Sequence, residues 1–243
     1  MTSLAIHQPH YMPWLGYLAK WAAADVFVFL DTVQYEKNGW QNRNRIKTEA
    51  GPRWLTVPVH ARLGMPIAEV TVDAGQPWRE RHLRALEQAY AAAPHFERHH
   101  DALRHLYATE WTRLAPLAVA TAQCLASAVG IATPTRLASA LNITAADPTE
   151  RLIELCRAVG ADTYLAGRDG AQYMDVARFA AAGIRVLYQT YAHPAYAQLH
   201  GEFVPNCSAL DLLLTHGDEA LAILRGGDHW SPQPPSQPLP ERD

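Results

Sequence analysis

Apolar positions come in short blocks whose spacing changes along the chain. Leu4-Ala5-Ile6 is one brief run, and Val26-Phe27-Val28-Phe29-Leu30 is a second, unbroken one. Unbroken runs of this kind predict strands buried on both faces of a parallel sheet. Between them Leu15, Leu18, Ala19 and Ala22 recur at helical spacing. That predicts a helix over 14–24, with Pro13 placed for its first turn. Strand, helix and strand make one right-handed βαβ unit. Residues 32–51 are polar and aromatic and read as a long loop. Residues 54–60 and 67–73 alternate and predict two strands, the first at a sheet edge because of Pro58. From 78 to 130 the period becomes helical, with Leu83, Leu86 and Tyr90 on one stripe and Leu103, Leu106, Tyr107, Trp111 and Leu114 on another.

The second half returns to alternating elements. Asp147-Pro148-Thr149-Glu150 supplies an N-cap and a first-turn proline, and Gly160 closes the helix that follows. A strand over 162–166, a turn over 167–170, a helix over 171–182 and a strand over 184–188 make a second βαβ unit. A late helix contains Asp211 to Leu214. The fold class is therefore α/β, a mostly parallel sheet built from βαβ units with a helical insertion in the middle. One domain spans 1–227, with a helical subdomain at about 77–130. The proline- and glutamine-rich run 228–243 reads as a disordered tail.

Composition narrows the function classes. The chain has 243 residues, 49% of them hydrophobic, which is enough for a full core. A formal net charge of −3 gives no reason to expect nucleic acid as a partner. Three widely spaced cysteines, Cys124, Cys156 and Cys207, form neither a disulfide framework nor a CxxC site. With no signal-like h-region and no membrane span, a cytoplasmic location is expected.

Ligands of open parallel sheets bind beyond the carboxyl ends of the strands. Three features fall there. The first is His7-Gln8-Pro9-His10. A His-x-x-His before a helix resembles the HIGH-type signature of nucleotidyltransferases, where imidazoles stabilise phosphate charge. That resemblance implies a Rossmann-like, HIGH-type nucleotidyltransferase-like fold. However, Pro9 replaces the glycine that lets a nucleotide approach. Each histidine singly is as well explained by a backbone hydrogen bond. The second feature is Asp31 and the stretch Lys37-Asn38-Gly39-Trp40-Gln41-Asn42-Arg43-Asn44-Arg45. Its guanidinium groups suit phosphate or carboxylate, and Trp40 offers a flat face to a sugar or base. The third is Gly167-Arg168-Asp169-Gly170, an anion-friendly turn or an ordinary connection. His193-Pro194-Ala195-Tyr196 adds a titratable ring and a phenol after a later strand. Cys207 reads as buried rather than nucleophilic. His60 and His193 have no ligand spacing, so no metal is expected.

These blocks resemble a known group. Gln8-Pro9-His10-Tyr11-Met12-Pro13-Trp14-Leu15-Gly16-Tyr17, Asp25-Val26-Phe27-Val28-Phe29-Leu30-Asp31, Trp40-Gln41-Asn42-Arg43-Asn44-Arg45 and Ser208-Ala209-Leu210-Asp211 look like successive motifs of the WbqC-like family. The resemblance implies accessory enzymes of O-antigen and natural-product biosynthesis that transfer an acyl or aminoacyl group to an amine. By motif it carries over Gln8, Tyr11, Trp14, Gly16, Asp31, Asn42, Arg43, Asn44, Ser208 and Asp211.

The candidate catalytic residues are thus His7, His10, Asp31 and His193. The candidate substrate-binding residues are Gln8, Tyr11, Trp14, Lys37, Trp40, Asn42, Arg43, Asn44, Gly167, Gly170 and Tyr196. No cofactor is fixed: a phosphopantetheine thioester, free or on a carrier protein, is one open donor, and ATP with magnesium belongs to the alternative, a HIGH-type ligase. A non-catalytic module binding a nucleotide sugar or a carrier protein is a third reading. A small-molecule substrate is expected, its identity open, with neither nucleic acid nor membrane as a partner; a homodimer is left open.

Overall fold

The computed structural model describes residues 1–234. Strands β1 (Ser3–His7), β2 (Val26–Phe29), β7 (Thr135–Leu137), β8 (Thr163–Ala166), β9 (Arg185–Tyr191) and β10 (Asp228–Ser231) form one sheet in the order β10-β9-β8-β1-β2-β7. All neighbours are parallel except β9 and β10. Strands therefore run outward from β1 in both directions, and the order reverses between β1 and β8. That reversal is the position where a doubly wound sheet opens a crevice.

The alternation of β1 explains the layers. Leu4 and Ile6 pack on one face with Val28, Tyr164 and Ala166. Their covering helices are α5 (Pro148–Ala158) and α6 (Val176–Ala181), through Leu152, Leu155 and Phe179. Ala5 packs on the other face with Phe27, Phe29 and Leu165. There α1 (Leu15–Ala22) lies across the sheet through Leu15 and Leu18, backed by α7 (Ala209–His216) and α8 (Ala220–Gly226). Cap chemistry follows expectation at α5, where Asp147 accepts from the Glu150 amide and Pro148 opens the helix. At α1 it does not: Trp14 is the N-cap, and Pro13 stands one residue earlier, outside the helix.

Between β2 and β7 the chain makes a long excursion. It holds the hairpin β3 (Arg43–Thr48) and β4 (Gly51–Thr56), the short pair β5 (Val59–His60) and β6 (Thr71–Val72), and helices α2 (Trp78–Tyr90), α3 (Phe96–Ala108) and α4 (Leu114–Ala128). The helical block stands as expected. The 32–51 segment does not stay a loop, because Arg43 to Thr48 pairs with β4. Asn44 and Ile46 face inward while Arg43 and Arg45 stay half-exposed, an alternation hidden by its polar residue types. The expected tail also begins too early: Asp228–Ser231 is the antiparallel edge strand β10, and residues 235–243 lie outside the described part.

Several predicted site residues turn out to hold this frame together. Tyr11 is fully buried, and its hydroxyl bonds to His82 Nδ1 at 2.9 Å and to the Tyr107 hydroxyl at 2.6 Å. Asn44 Nδ2 donates to the Met12 carbonyl at 2.6 Å. Asn42 Nδ2 donates to the Val57 carbonyl at 2.8 Å. Asp31 accepts both the Ser139 amide, at 3.0 Å, and the Ser139 hydroxyl, at 2.6 Å, which fastens the segment after β7. Removing a buried acceptor orphans its donors at about 1–3 kcal/mol. Asp31→Ala should therefore lower the thermal midpoint by several degrees and leave ligand affinity intact. An unchanged midpoint with lost activity would return Asp31 to the catalytic list.

Candidate functional site

At its carboxyl end β1 leaves one neighbour before the other. Its ladder with β8 stops at Ala5 and Leu165, whereas its ladder with β2 continues to His7 and Phe29. Past Ala5 the β1 and β8 chains part. Lys20, on α1, reaches this gap, where Nζ donates to the Ile6 carbonyl at 2.8 Å. On the β8 side stands Gly167, where a Cβ would lie 3.7 Å from Nζ. Lys20 is 3% exposed, and among the described residues no acid forms an ion pair with it. Burial alone pulls its ammonium from the usual lysine range down to about 7.

His7 points to the same face as Ala5. Its ring lies 4.6 Å from His10 and 4.6 Å from Tyr17, and His10 stacks on Tyr17 at 5.1 Å. His7 Nδ1 faces the Gln8 carbonyl at 3.2 Å. A carbonyl only accepts, so the proton sits on Nδ1 and the Nε2 lone pair is available. Burial first, then the charges of His10 and Lys20, hold the imidazolium form of His7 well below its ordinary range. His7 is thus a neutral, half-buried base at physiological pH. Gln8 is locked through its side-chain oxygen to Gln41 Nε2 at 2.7 Å, which ties this edge to the segment before β3.

A second aromatic group lies beside α1. Trp14 folds back over Gly16, where a Cβ would meet the indole at 2.3 Å. The indole then meets Tyr191 at 5.4 Å edge-on and stacks on His193 at 6.5 Å. His193 also stacks on Tyr196 at 6.3 Å. Its Nδ1 lies 3.0 Å from the Pro194 carbonyl, and its buried Nε2 has no partner. Burial lowers its pKa, so this ring is a second neutral base.

The remaining predicted residues divide. Arg43 lies over the Trp54 ring at 4.2 Å and Arg45 over the same ring at 5.6 Å; Trp40 packs on it at 5.4 Å. Arg43 therefore belongs to a ladder on the hairpin, and the histidines lie against Tyr17 instead. Lys37 is exposed on the turn before it. Gly170 makes room for Met174, whose Cε would stand 2.9 Å from a Cβ there, so its small size serves packing. The helix predicted over 171–182 is a 3-10 turn over Arg168–Gln172 followed by the short α6. Two surface hollows lie elsewhere. One of about 350 Å³ is at the amino ends of β1 and β8, and one of about 680 Å³ is beside the β3–β4 hairpin. Neither is lined by His7, His10 or His193. The carboxyl edge gathers the titratable side chains of half-buried His7 and of buried His10 and Lys20, and Lys20 is the residue that sequence reasoning missed.

The three cysteines offer no nucleophile. Cys207 is fully buried, and burial pushes its thiol up to about 12. Cys156 is likewise pushed up to about 12 by burial, and burial also raises Cys124. No group of His, Cys, Asp and Glu among the described residues suits a metal. No described helix is long and apolar enough to cross a membrane.

The model of the WbqC-like protein family matches residues 8–223. A protein of Mycobacterium tuberculosis strain H37Rv, named uncharacterized protein Rv1507c, is 41% identical over 230 residues, covering 93% of this chain and 98% of that one. No solved structure matches.

An ammonium held near 7 in the fold but near the usual lysine value when unfolded penalises the native state. The penalty is about 4 kcal/mol at pH 7. It is full below pH 7 and fades as pH rises towards 10.5, because the unfolded chain binds the extra proton throughout that window. Lys20→Met removes the penalty and orphans only the Ile6 carbonyl, which costs about 1–3 kcal/mol. The variant should melt above wild type at pH 7, and the advantage should shrink to nothing near pH 10. Thermal unfolding of both proteins across that range checks it; a pH-independent difference would contradict a desolvated ammonium.

Proposed function

The chain belongs to the WbqC-like protein family, and from that premise we propose that it is an enzyme of small-molecule biosynthesis that transfers an acyl or aminoacyl group to an amine. The observation that carries the reading is His7, a neutral imidazole with Nδ1 spent on Gln8 and Nε2 available at the carboxyl edge of the sheet. An acceptor amine must lose a proton as it attacks, and a base with a depressed pKa stays unprotonated at neutral pH to take it.

The chemistry balances with a thioester donor. The amine nitrogen bonds to the thioester carbon, and the carbon–sulfur bond breaks. His7 Nε2 takes the amine proton and returns it to the leaving thiolate. Because every cysteine is held as a thiol, transfer is direct, with donor and acceptor bound together. His10 and Tyr17 fix the His7 ring by stacking. Trp14 and His193 stack beside α1 and offer ring faces suited to a sugar or an acyl chain, with the buried Tyr196 behind them.

The ATP-using reading has less behind it. A triphosphate needs free amides at the turn before α1. Here the Tyr11 amide donates to the Trp40 carbonyl at 3.1 Å and the Met12 amide to the Thr121 hydroxyl at 3.0 Å. A non-catalytic module would leave two neutral, desolvated imidazoles without a task.

An acyl-pantetheine panel with amine and amino-sugar acceptors tests the proposal by following thiol release. Turnover should fall by about 10²–10⁴ in His7→Gln, a usual range for losing a general base. Thiol release that is insensitive to His7, or pyrophosphate release from ATP in its place, would overturn it.

A further inference from the structure

We propose that the gap between β1 and β8 is an oxyanion site in which Lys20 binds a phosphate or carboxylate of the substrate. This rests on placing the substrate at this edge and adds the class of substrate it takes.

Lys20 is the only charged residue of α1, and it is turned inward to the reversal point of the sheet. Among the described residues its one bond, to the Ile6 carbonyl, uses one of three ammonium donors. The other buried lysine makes an instructive contrast. Lys47, 2% exposed, donates to two carbonyls, those of Gly201 and Glu202, and lies near the Asp211 carboxylate. Lys47 is a structural cation with its charge answered; among the described residues no acid pairs with Lys20. A buried cation without a counter-charge is costly, and an arriving oxyanion supplies the missing charge.

Gly167 points the same way. Its backbone, at φ −72° and ψ 165°, is ordinary extended chain, so no conformational demand calls for glycine here. What glycine provides is an absent side chain on the flank facing Nζ. Gly167 puts no side chain on that flank, where a Cβ would stand 3.7 Å from Nζ, and the β1–β8 ladder ends before it. His7, on β1 itself, is close enough for its charge and that of Lys20 to oppose each other. An anion at Lys20 thus sits beside the base that acts on the acceptor.

Calorimetric titration of the full chain with pyrophosphate, and separately with acetate, tests the site and distinguishes the two classes. At least one should bind saturably to wild type and at least tenfold more weakly to Lys20→Met, with thermal unfolding confirming that the variant is folded. Gly167→Val, whose backbone accepts a side chain, should lose binding in the same way by covering the amine. Equal affinity in wild type and Lys20→Met, or no binding of either anion to wild type, would overturn the proposal. The two readings fail separately. Oxyanion binding through Lys20 with thiol release indifferent to His7 sinks acyl transfer alone; His7-dependent transfer with no oxyanion binding sinks the lysine site alone.

Discussion

A parallel sheet whose strand order reverses at β1 must let two neighbouring chains separate, because the connections leaving β1 and β8 go to opposite faces. Here the separation starts past Ala5 and Leu165. The α1 connection turns to one face, and the segment after β8 turns to the face covered by α5 and α6. A carbonyl of β1, that of Ile6, then lies past the end of its ladder with β8. Lys20 answers it. The rest of the edge is arranged about that choice: His7 lies beside the ammonium and is kept neutral partly by it, and Gly167 leaves its far flank bare.

Much of the polar chemistry of the motifs works to hold that edge still. The turn between β1 and α1 is held at four points. The Trp40 carbonyl takes the Tyr11 amide, Thr121 takes the Met12 amide, Asn44 holds the Met12 carbonyl, and the Ala209 amide donates to the Pro13 carbonyl. Met12 sits at φ 45°, a backbone region a methionine enters at a cost, so the turn needs these ties. Asn44 and Tyr11 hold the turn that joins His7 to Trp14, whereas Asn42 ties to Val57 and Asp31 to the segment after β7. Asn44 and Tyr11 are therefore positioning residues, and Asn42 and Asp31 serve the frame.

The order of elements was legible because it rests on apolar spacing. The strands at β1, β2, β8 and β9 show it in their runs, and α5 shows it in Asp147 and Pro148. What escaped was what tertiary contact decides. The β3 strand hid because Arg43, Asn44, Arg45 and Lys47 are poor strand formers that gain their place from the β4 partner and from the Trp54 ring. The β7 and β10 strands are too short and polar to stand out, and take their conformation from neighbours already in the sheet. In Lys20 the sequence did hold a signal. A lysine in the last turn of a helix ordinarily complements the helix dipole at the surface. Yet Leu15 to Ala22 has no polar face for it to share, and a lone charge on an all-apolar helix has nowhere to go but inward.

That inward charge bears on why the site is built as it is. Burying an ammonium without an acid costs more than one hydrogen bond to a carbonyl returns. A methionine of similar length would fill the same space without that cost. The stability forgone at Lys20 is therefore invested in the unliganded protein and recovered when an anion arrives. Pairing the amine with an anion raises its proton affinity and restores full charge at neutral pH. The same event replaces part of the positive field acting on His7 with a neutral pair, so His7 becomes a stronger base once the anion is bound. In the proposed reaction, anion binding and proton abstraction would thereby be coupled through two side chains on adjoining elements, His7 being most basic when the anion is bound.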